Sequence, residues 1–335
     1  MYYKSMFFLS LMTGTLISIS SYSWMGMWLG LEINLLSIIP LMSKTNNMMA
    51  SEAALKYFIV QTLASTIFLF SIIITSLYFS YNFNHSLYIS LICSTALLTK
   101  MGAAPFHFWF PEIMEGLNWL TSMLMLTWQK IAPMVLLMYT NQITLYLTFI
   151  IILSMLVSGI MGLNQTSLRK VLAYSSINHV GWMISATLIS PTIWLLYFLV
   201  YSIISINLIS IFWQLNIFYI NQLYISMNTN PLIKFFFMLN FLSLGGLPPF
   251  LGFMPKWLLI NSLIQASLYF IAFLMTTMTL MTLYFYMRIT FSALLLTKTH
   301  TNYYYMSKTK TFYIIFTNFI TLTSLIMVTL MFNFL

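Results

Sequence analysis

The chain has 335 residues, of which 61% are hydrophobic and 5% charged, with a net charge of +9 and a mean hydropathy of +0.92. These proportions exclude a soluble globular domain. The basic residues form no run and no stripe interleaved with aromatic side chains, so they argue against a nucleic-acid partner, and a membrane surface explains them better. The single cysteine, Cys93, permits no internal disulfide.

Apolar runs of about 20 residues, enough to cross roughly 30 Å of hydrocarbon as helices, recur along the whole chain. None shows the alternation of a transmembrane barrel. The sequence therefore predicts an all-α polytopic membrane protein, with residues 1–335 forming a single transmembrane domain. The predicted spans, about eleven by this length criterion, cover residues 4–20, 23–41, 53–80, 86–118, 121–140, 143–162, 168–190, 192–214, 232–265, 268–291 and 312–333.

The basic residues also predict the orientation of these spans. When the spans are assigned to alternate directions, basic residues near span ends and in loops fall at one side, and none falls at the other. An excess of Lys and Arg marks the inner side, so the N-terminus is predicted inside and the C-terminus outside. The residues on the inner side are Lys4, Lys44, Lys56, Arg169, Lys170, Lys234, Arg288, Lys298, Lys308 and Lys310.

Two predicted spans, 86–118 and 232–265, are too long for one straight crossing and share the motif G-x-x-P-F-x-x-aromatic-x-P. The motif begins at Gly102 in one span and at Gly246 in the other, an offset of 144 residues (246 − 102). An odd number of crossings separates the two copies, which makes them antiparallel. This spacing predicts inverted repeats over 23–140 and 143–291, each with a broken helix, followed by a C-terminal helix over 312–333.

Proline lacks an N–H and clashes with the carbonyl four residues back, which frees that carbonyl to face protein or water. Pro249, for example, frees the carbonyl of Gly245, and Pro133 frees that of Gln129. A role in packing alone remains the alternative for each proline. The prolines predicted to break the two long spans are Pro105, Pro111, Pro248, Pro249 and Pro255.

Charged side chains lie inside these apolar spans at Glu32, Lys100, Lys130 and Lys256. A charge at a helix centre costs roughly 2.5–3.5 kcal/mol on insertion scales, so a chain that keeps four is expected to use them. Lysine is the basic side chain that loses its proton most readily when buried, which points to proton or cation handling inside a membrane. A purely structural Glu–Lys pair remains open for Glu32.

Three further residues are possible proton relays. His179 lies in a polar patch within a span, His107 lies in the first helix break, and Glu112 follows that break. A histidine that only packs against a neighbouring helix is equally open for both histidines. Because His, Cys and carboxylates do not cluster at ligand spacing and no phosphate-binding loop occurs, we expect neither a metal nor a cofactor in this chain.

These residues carry a resemblance to a known family. The segments W-L-G-L-E-I-N at 28–34, K-x4-P-F-H-x-W-x-P-E at 100–112, Y-S-S-I-N-H-x-G-W at 174–182 and G-G-L-P-P-F-x-G-F-x-P-K-W at 245–257 resemble the antiporter-like subunit two of mitochondrial NADH dehydrogenase (respiratory complex I). That family is related to bacterial Mrp-type cation/proton antiporters. The match covers nearly the whole chain. The lack of Asp, with only two Arg, is typical of an AT-rich animal mitochondrial genome and suggests an insect.

The resemblance implies that Glu32 pairs with Lys100, and that Lys130 and Lys256 continue the proton route. It implies a multi-pass protein of the mitochondrial inner membrane, with the N-terminus in the matrix and the C-terminus in the intermembrane space. NADH, FMN, Fe–S clusters and ubiquinone are expected in partner subunits. The expected partners are a neighbouring antiporter-like subunit, small membrane-arm subunits, supernumerary subunits and phospholipids including cardiolipin.

Two other functions stay open at this point. One is an Mrp-type cation/proton antiporter subunit, and the other is a structural membrane subunit with a vestigial channel. The retained charges argue against the second.

Overall fold

The structure is a computed structural model that describes residues 2–43, 47–81, 86–140, 143–226, 231–248, 250–295, 316, 318 and 319. Over these ranges the chain is all-α, as predicted, and the one β-type contact is an isolated bridge between Ser167 and Tyr219. The helices are α1 Tyr2–Ser20, α2 Trp24–Met42, α3 Met48–Tyr81, α4 Ser86–Met101, α5 Trp109–Gly116, α6 Trp119–Leu126, α7 Ile131–Tyr139, α8 Thr144–Leu163, α9 Leu168–Thr187, α10 Pro191–Leu215, α11 Ile220–Ser226, α12 Pro231–Gly245, α13 Phe253–Gln265 and α14 Tyr269–Leu295.

Within the described ranges, six helical stretches are long and apolar enough to cross a membrane. The predicted number of spans and their inverted arrangement remain predictions, and the predicted helix over 312–333 lies outside the described residues apart from isolated positions. The six stretches are Trp24–Met42, Met48–Leu77, Trp119–Tyr139, Thr144–Leu163, Pro191–Leu215 and Tyr269–Leu295.

The predicted span 121–140 is not one regular helix. It consists of α6, a 3₁₀ turn over Trp128–Lys130, and α7. Pro133 has no N–H to donate to the carbonyl of Gln129, so a regular α-helical hydrogen bond is lost at this point. A 3₁₀ segment inside a helix is often a functional hinge, and here it places Lys130 at the irregular step.

The chain divides into two compact units, Met1–Ser154 and Met155–Leu335. Each unit contains one copy of the shared motif, and in each copy the helix is interrupted. In the first unit α4 ends at Met101 and α5 begins at Trp109, and in the second α12 ends at Gly245 and α13 begins at Phe253.

The two interruptions have the same backbone hydrogen bonds. Gly102 and Gly246 adopt left-handed φ angles of 73° and 77°, which glycine tolerates without steric cost. Each donates its N–H three residues back, to Thr99 at 3.2 Å and to Ser243 at 3.0 Å. Three further N–H to carbonyl hydrogen bonds recur at the offset of 144 residues. Ala103 donates to Leu98 as Leu247 donates to Leu242, Phe106 to Ala103 as Phe250 to Leu247, and Phe110 to His107 as Met254 to Leu251.

The prolines of the motif do not all lie where the sequence suggested. Pro105 and Pro248 lie in the non-helical segments, whereas Pro111 and Pro255 are the third residues of α5 and α13. The first turn of a helix tolerates proline because its N–H groups have no partner within the helix. Pro111 and Pro255 therefore belong to the first turn of the helix that follows each interruption. Pro249 lies outside the described residues.

Gly252 is expected to be intolerant of any side chain. A Cβ placed on Gly252 would lie 1.8 Å from the carbonyl oxygen of Ser243, a backbone atom that cannot move aside alone. We expect Gly252→Ala to destabilise the second unit by about 3 kcal/mol, the upper range for overpacking, measured by thermal unfolding and by the amount of assembled protein. Gly245→Ala is the control, because its Cβ would meet its nearest neighbour at an ordinary 3.7 Å. Equal stability of the two variants would contradict this account.

Candidate functional site

The three lysines predicted from the sequence are buried. In the first unit, Lys100 lies in the last turn of α4 and Lys130 ends the 3₁₀ turn. In the second unit, Lys256 lies in the first turn of α13. A cation at the C-terminal end of a helix, as at Lys100, is favoured by the helix dipole.

Glu32 lies on α2, and its charge is opposite to that of Lys100. The two side chains form no direct ion pair in the described ranges, unlike Lys56, which pairs with Glu52 and Glu112. The Oε1 atom of Glu32 is buried and has no hydrogen-bond partner among the described residues. The paired role predicted for Glu32 and Lys100 therefore stays a prediction.

A polar network surrounds Lys100 within the first unit. Gln129 donates its Nε2–H to Oδ1 of Asn34 at 2.8 Å, and the Tyr57 hydroxyl donates to Oε1 of Gln129 at 3.4 Å. Gln61 donates its Nε2–H to the backbone carbonyl of Lys100 at 3.3 Å. These side chains hold amide and hydroxyl groups of α2, α3 and the 3₁₀ turn beside the buried amine.

The network lines a small cavity of about 20 Å³. A water molecule needs about 10–15 Å³ of this kind of volume and two to four polar partners. The cavity meets both requirements, so the site suits one water beside Lys100. Its lining consists of Leu31, Asn34, Leu35, Tyr57, Gln61, Lys100, Gln129 and Pro133.

Lys256 is held by backbone carbonyls and an aromatic ring. Its Nζ donates to the carbonyl of Gly245 at 2.8 Å and to that of Leu244 at 3.3 Å. The Gly245 carbonyl is the one that the sequence predicted to be free of a helical hydrogen bond. The same Nζ lies 5.7 Å from the ring centre of Trp182, and in the first unit Lys130 Nζ lies 5.6 Å from that of Phe110.

The two candidate histidines are buried and bonded. His179 places Nδ1 2.9 Å from the hydroxyl of Tyr197 and packs against the ring of Tyr201. His107 places Nδ1 3.3 Å from the carbonyl of Pro105, and since a carbonyl only accepts, Nδ1 carries the hydrogen. Both contacts serve packing and leave a relay role as a prediction.

Glu112 lies outside the set of buried charges. Its carboxylate is 3.0 Å from Nζ of Lys56, which also pairs with Glu52 at 3.0 Å, and the Glu112 side chain is 58% exposed. Together with Glu115, these three side chains line an open cavity of about 320 Å³. Glu112 is therefore part of an exposed ion-pair cluster.

Sequence reasoning missed the polar groups around the lysines. It identified Lys100 but not Asn34, Tyr57, Gln61 or Gln129, which form its surroundings. The sequence did carry a signal for the amides, because each lies inside an apolar run. A side-chain amide is costly to bury in lipid for the same reason as a charge, although its cost is smaller.

The long apolar helices define an α-helical membrane protein, and lysines buried among such helices are typical of proteins that handle protons or cations. A family model described as NADH:quinone oxidoreductase/Mrp antiporter, TM, matches residues 21–282. NADH-ubiquinone oxidoreductase chain 2 of Anopheles gambiae is 48% identical over 98% of both chains, and that of Locusta migratoria is 47% identical over 88% of this chain and 86% of the other. The chain therefore belongs to the NADH-ubiquinone oxidoreductase chain 2 family.

Solved structures share the fold at low identity. A chain of respiratory complex I from Thermus thermophilus matches with a TM-score of 0.88 at 22% identity, over 98% of this chain and 79% of that chain. A chain of the Mrp complex from a Dietzia species matches with a TM-score of 0.75 at 18% identity, over 86% of this chain and 59% of that chain. The complex I chain is thus matched more fully than the Mrp chain.

Proposed function

We propose that this chain is a proton-translocating membrane subunit of NADH:ubiquinone oxidoreductase. Membership of the chain 2 family, together with the three buried lysines, carries the proposal. Electron transfer to quinone in other subunits drives the movement of protons. The chain contributes no redox or nucleotide site, and NADH, FMN, Fe–S clusters and ubiquinone bind to partner subunits. Within the described ranges, no three His, Cys, Asp or Glu side chains are grouped as a metal site would require.

The proposed proton route consists of Glu32, Lys100, Lys130 and Lys256. A buried amine can both hold and release a proton, whereas a guanidinium stays charged. Beside Lys100, a water in the small cavity, oriented by the polar groups of Asn34, Tyr57 and Gln129, would pass a proton to or from the lysine. His179, His107 and Glu112 are secondary candidates on this route.

The proposed setting is the mitochondrial inner membrane, with the N-terminus in the matrix and the C-terminus in the intermembrane space. The one-sided distribution of Lys and Arg supports this orientation. The matching backbone of the two helix interruptions supports an internal repeat, and the odd number of predicted crossings between the copies favours its inversion. The proposed partners are the other membrane subunits of the complex, supernumerary subunits and phospholipids including cardiolipin.

An Mrp-type cation/proton antiporter subunit is the second candidate, favoured by the structural match to the Dietzia Mrp chain. The two functions predict different partners. A complex I subunit copurifies with redox subunits, and an antiporter subunit does not.

Purification of the complex in mild detergent, followed by reconstitution into vesicles, tests the proposal. We expect the chain to copurify with NADH:ubiquinone reductase activity, and Lys256→Met to cut the protons moved per electron pair while assembly stays normal. The physical reason is that Met fills the space of Lys but carries no proton. Purification without redox subunits, or full proton flux in Lys256→Met, would refute the proposal.

A further inference from the structure

The ammonium group of Lys256 is stabilised without a carboxylate. In the described part of the second unit its contacts are the carbonyls of Gly245 and Leu244 and the face of Trp182. A cation within about 6 Å of a ring centre is attracted by the negative face of the ring, most strongly for Trp. The 5.7 Å distance lies inside that limit.

The backbone fixes where this ammonium lies. A Cβ on Gly246 would lie 2.7 Å from Cδ and 2.9 Å from Nζ of Lys256. The absence of a side chain at Gly246 therefore leaves the space that the lysine occupies. The lysine folds back over the end of α12, where the carbonyl dipoles point toward it.

The indole is held in a fixed orientation. Trp182 is buried and stacks on Tyr197 with an angle of 11° between the rings and 6.4 Å between their centres. The hydroxyl of Tyr197 lies 2.9 Å from Nδ1 of His179. In the first unit, Lys130 has a similar arrangement over the buried ring of Phe110 at 5.6 Å.

We propose that Trp182 and Phe110 are positioning residues that stabilise the protonated forms of Lys256 and Lys130 through their ring faces. This inference rests on the proposed function and adds two residues to it. Tyr197 and His179 support this contact by fixing the plane of the indole.

A ring face suits a proton-carrying amine better than a carboxylate does. A carboxylate attracts the ammonium but also competes for its proton, and it keeps its charge when the amine becomes neutral. A ring attracts the ammonium, cannot accept its proton, and loses most of the attraction once the amine is neutral. The contact therefore distinguishes the two protonation states and releases the side chain after proton transfer.

A graded series of substitutions in the assembled, vesicle-reconstituted complex tests the proposal. We expect Trp182→Leu to lower the protons moved per electron pair about tenfold and to move the pH profile of proton flux to lower pH, because the charged amine loses its attraction. Trp182→Phe, with a weaker face, should be intermediate in both measurements. Phe110→Tyr should match the parent chain, and Phe110→Leu should change both measurements in the same direction as Trp182→Leu but less, because a Phe ring has the weaker face.

Trp194→Leu is the matched control, since Trp194 is a buried tryptophan of the same unit that stacks on Phe198 at 5.7 Å. If Trp182→Leu fails to assemble, Trp182→Phe carries the test. Flux and a pH profile in Trp182→Phe equal to those of the parent chain, or in Trp182→Leu equal to those of Trp194→Leu, would overturn the inference. Full flux in Lys256→Met would instead show that the proposed function has failed.

Discussion

Replacing Lys130 with arginine is expected to leave the complex assembled and to lower proton transfer at least about a hundredfold, the usual scale for losing a proton-transferring group. Lys130 is buried at the end of a 3₁₀ turn, with its ammonium over the ring of Phe110. Arginine preserves the positive charge and the attraction to the ring, but its guanidinium does not release a proton. The measurement is proton flux per electron pair in vesicles.

Two further variants complete this test. Lys130→Met removes both charge and proton and should also lose transfer. Lys4→Arg makes the same exchange at an exposed residue of α1 and should keep the parent flux. Near-normal pumping by an assembled Lys130→Arg complex would show that Lys130 acts as a fixed charge and not as a proton carrier.

The second large effect is expected at Glu32 and Lys100. We expect Glu32→Gln and Lys100→Ala each to impair pumping-linked turnover about tenfold or more while assembly stays largely intact. Opposite charges favour each other's charged form, so removing the Glu32 carboxylate should change how readily Lys100 holds its proton if the two act as a pair. The measurement is turnover together with proton flux.

A double-mutant cycle decides whether the two residues act together. A coupled pair gives a double variant little worse than either single one, whereas independent residues give the product of both losses. Glu52→Gln is the control, because its carboxylate is 60% exposed and its pair with Lys56 is worth at most about 1 kcal/mol. Multiplicative losses would contradict the coupling.

The buried charges and the helix interruptions could be predicted because both are costly in lipid. Lys100, Lys130 and Lys256 break apolar runs, and Gly102 and Gly246 begin matching motifs. Nothing local indicates which side chains meet across helices, so sequence reasoning could not predict contacts at large separation along the chain.

The contact between Gln129 and Asn34 joins residues far apart in sequence, and that between Lys256 and Trp182 depends on how α13 packs on α9.

The 3₁₀ turn was missed for a different reason. Pro133 was recognised as freeing a carbonyl, but whether a helix then kinks, tightens or ends depends on its neighbours.

The two glycines that begin the motifs differ in how much inherited variation they can accept. At Gly102 the left-handed φ is the main constraint, since a Cβ would meet ring and side-chain atoms at 3.2 Å or more, so an asparagine allele has a conformational option there. At Gly246 a Cβ would also displace the amine of Lys256. Every missense allele at codon 246 therefore damages the backbone and the lysine together, and populations should carry far fewer of them than at codon 102.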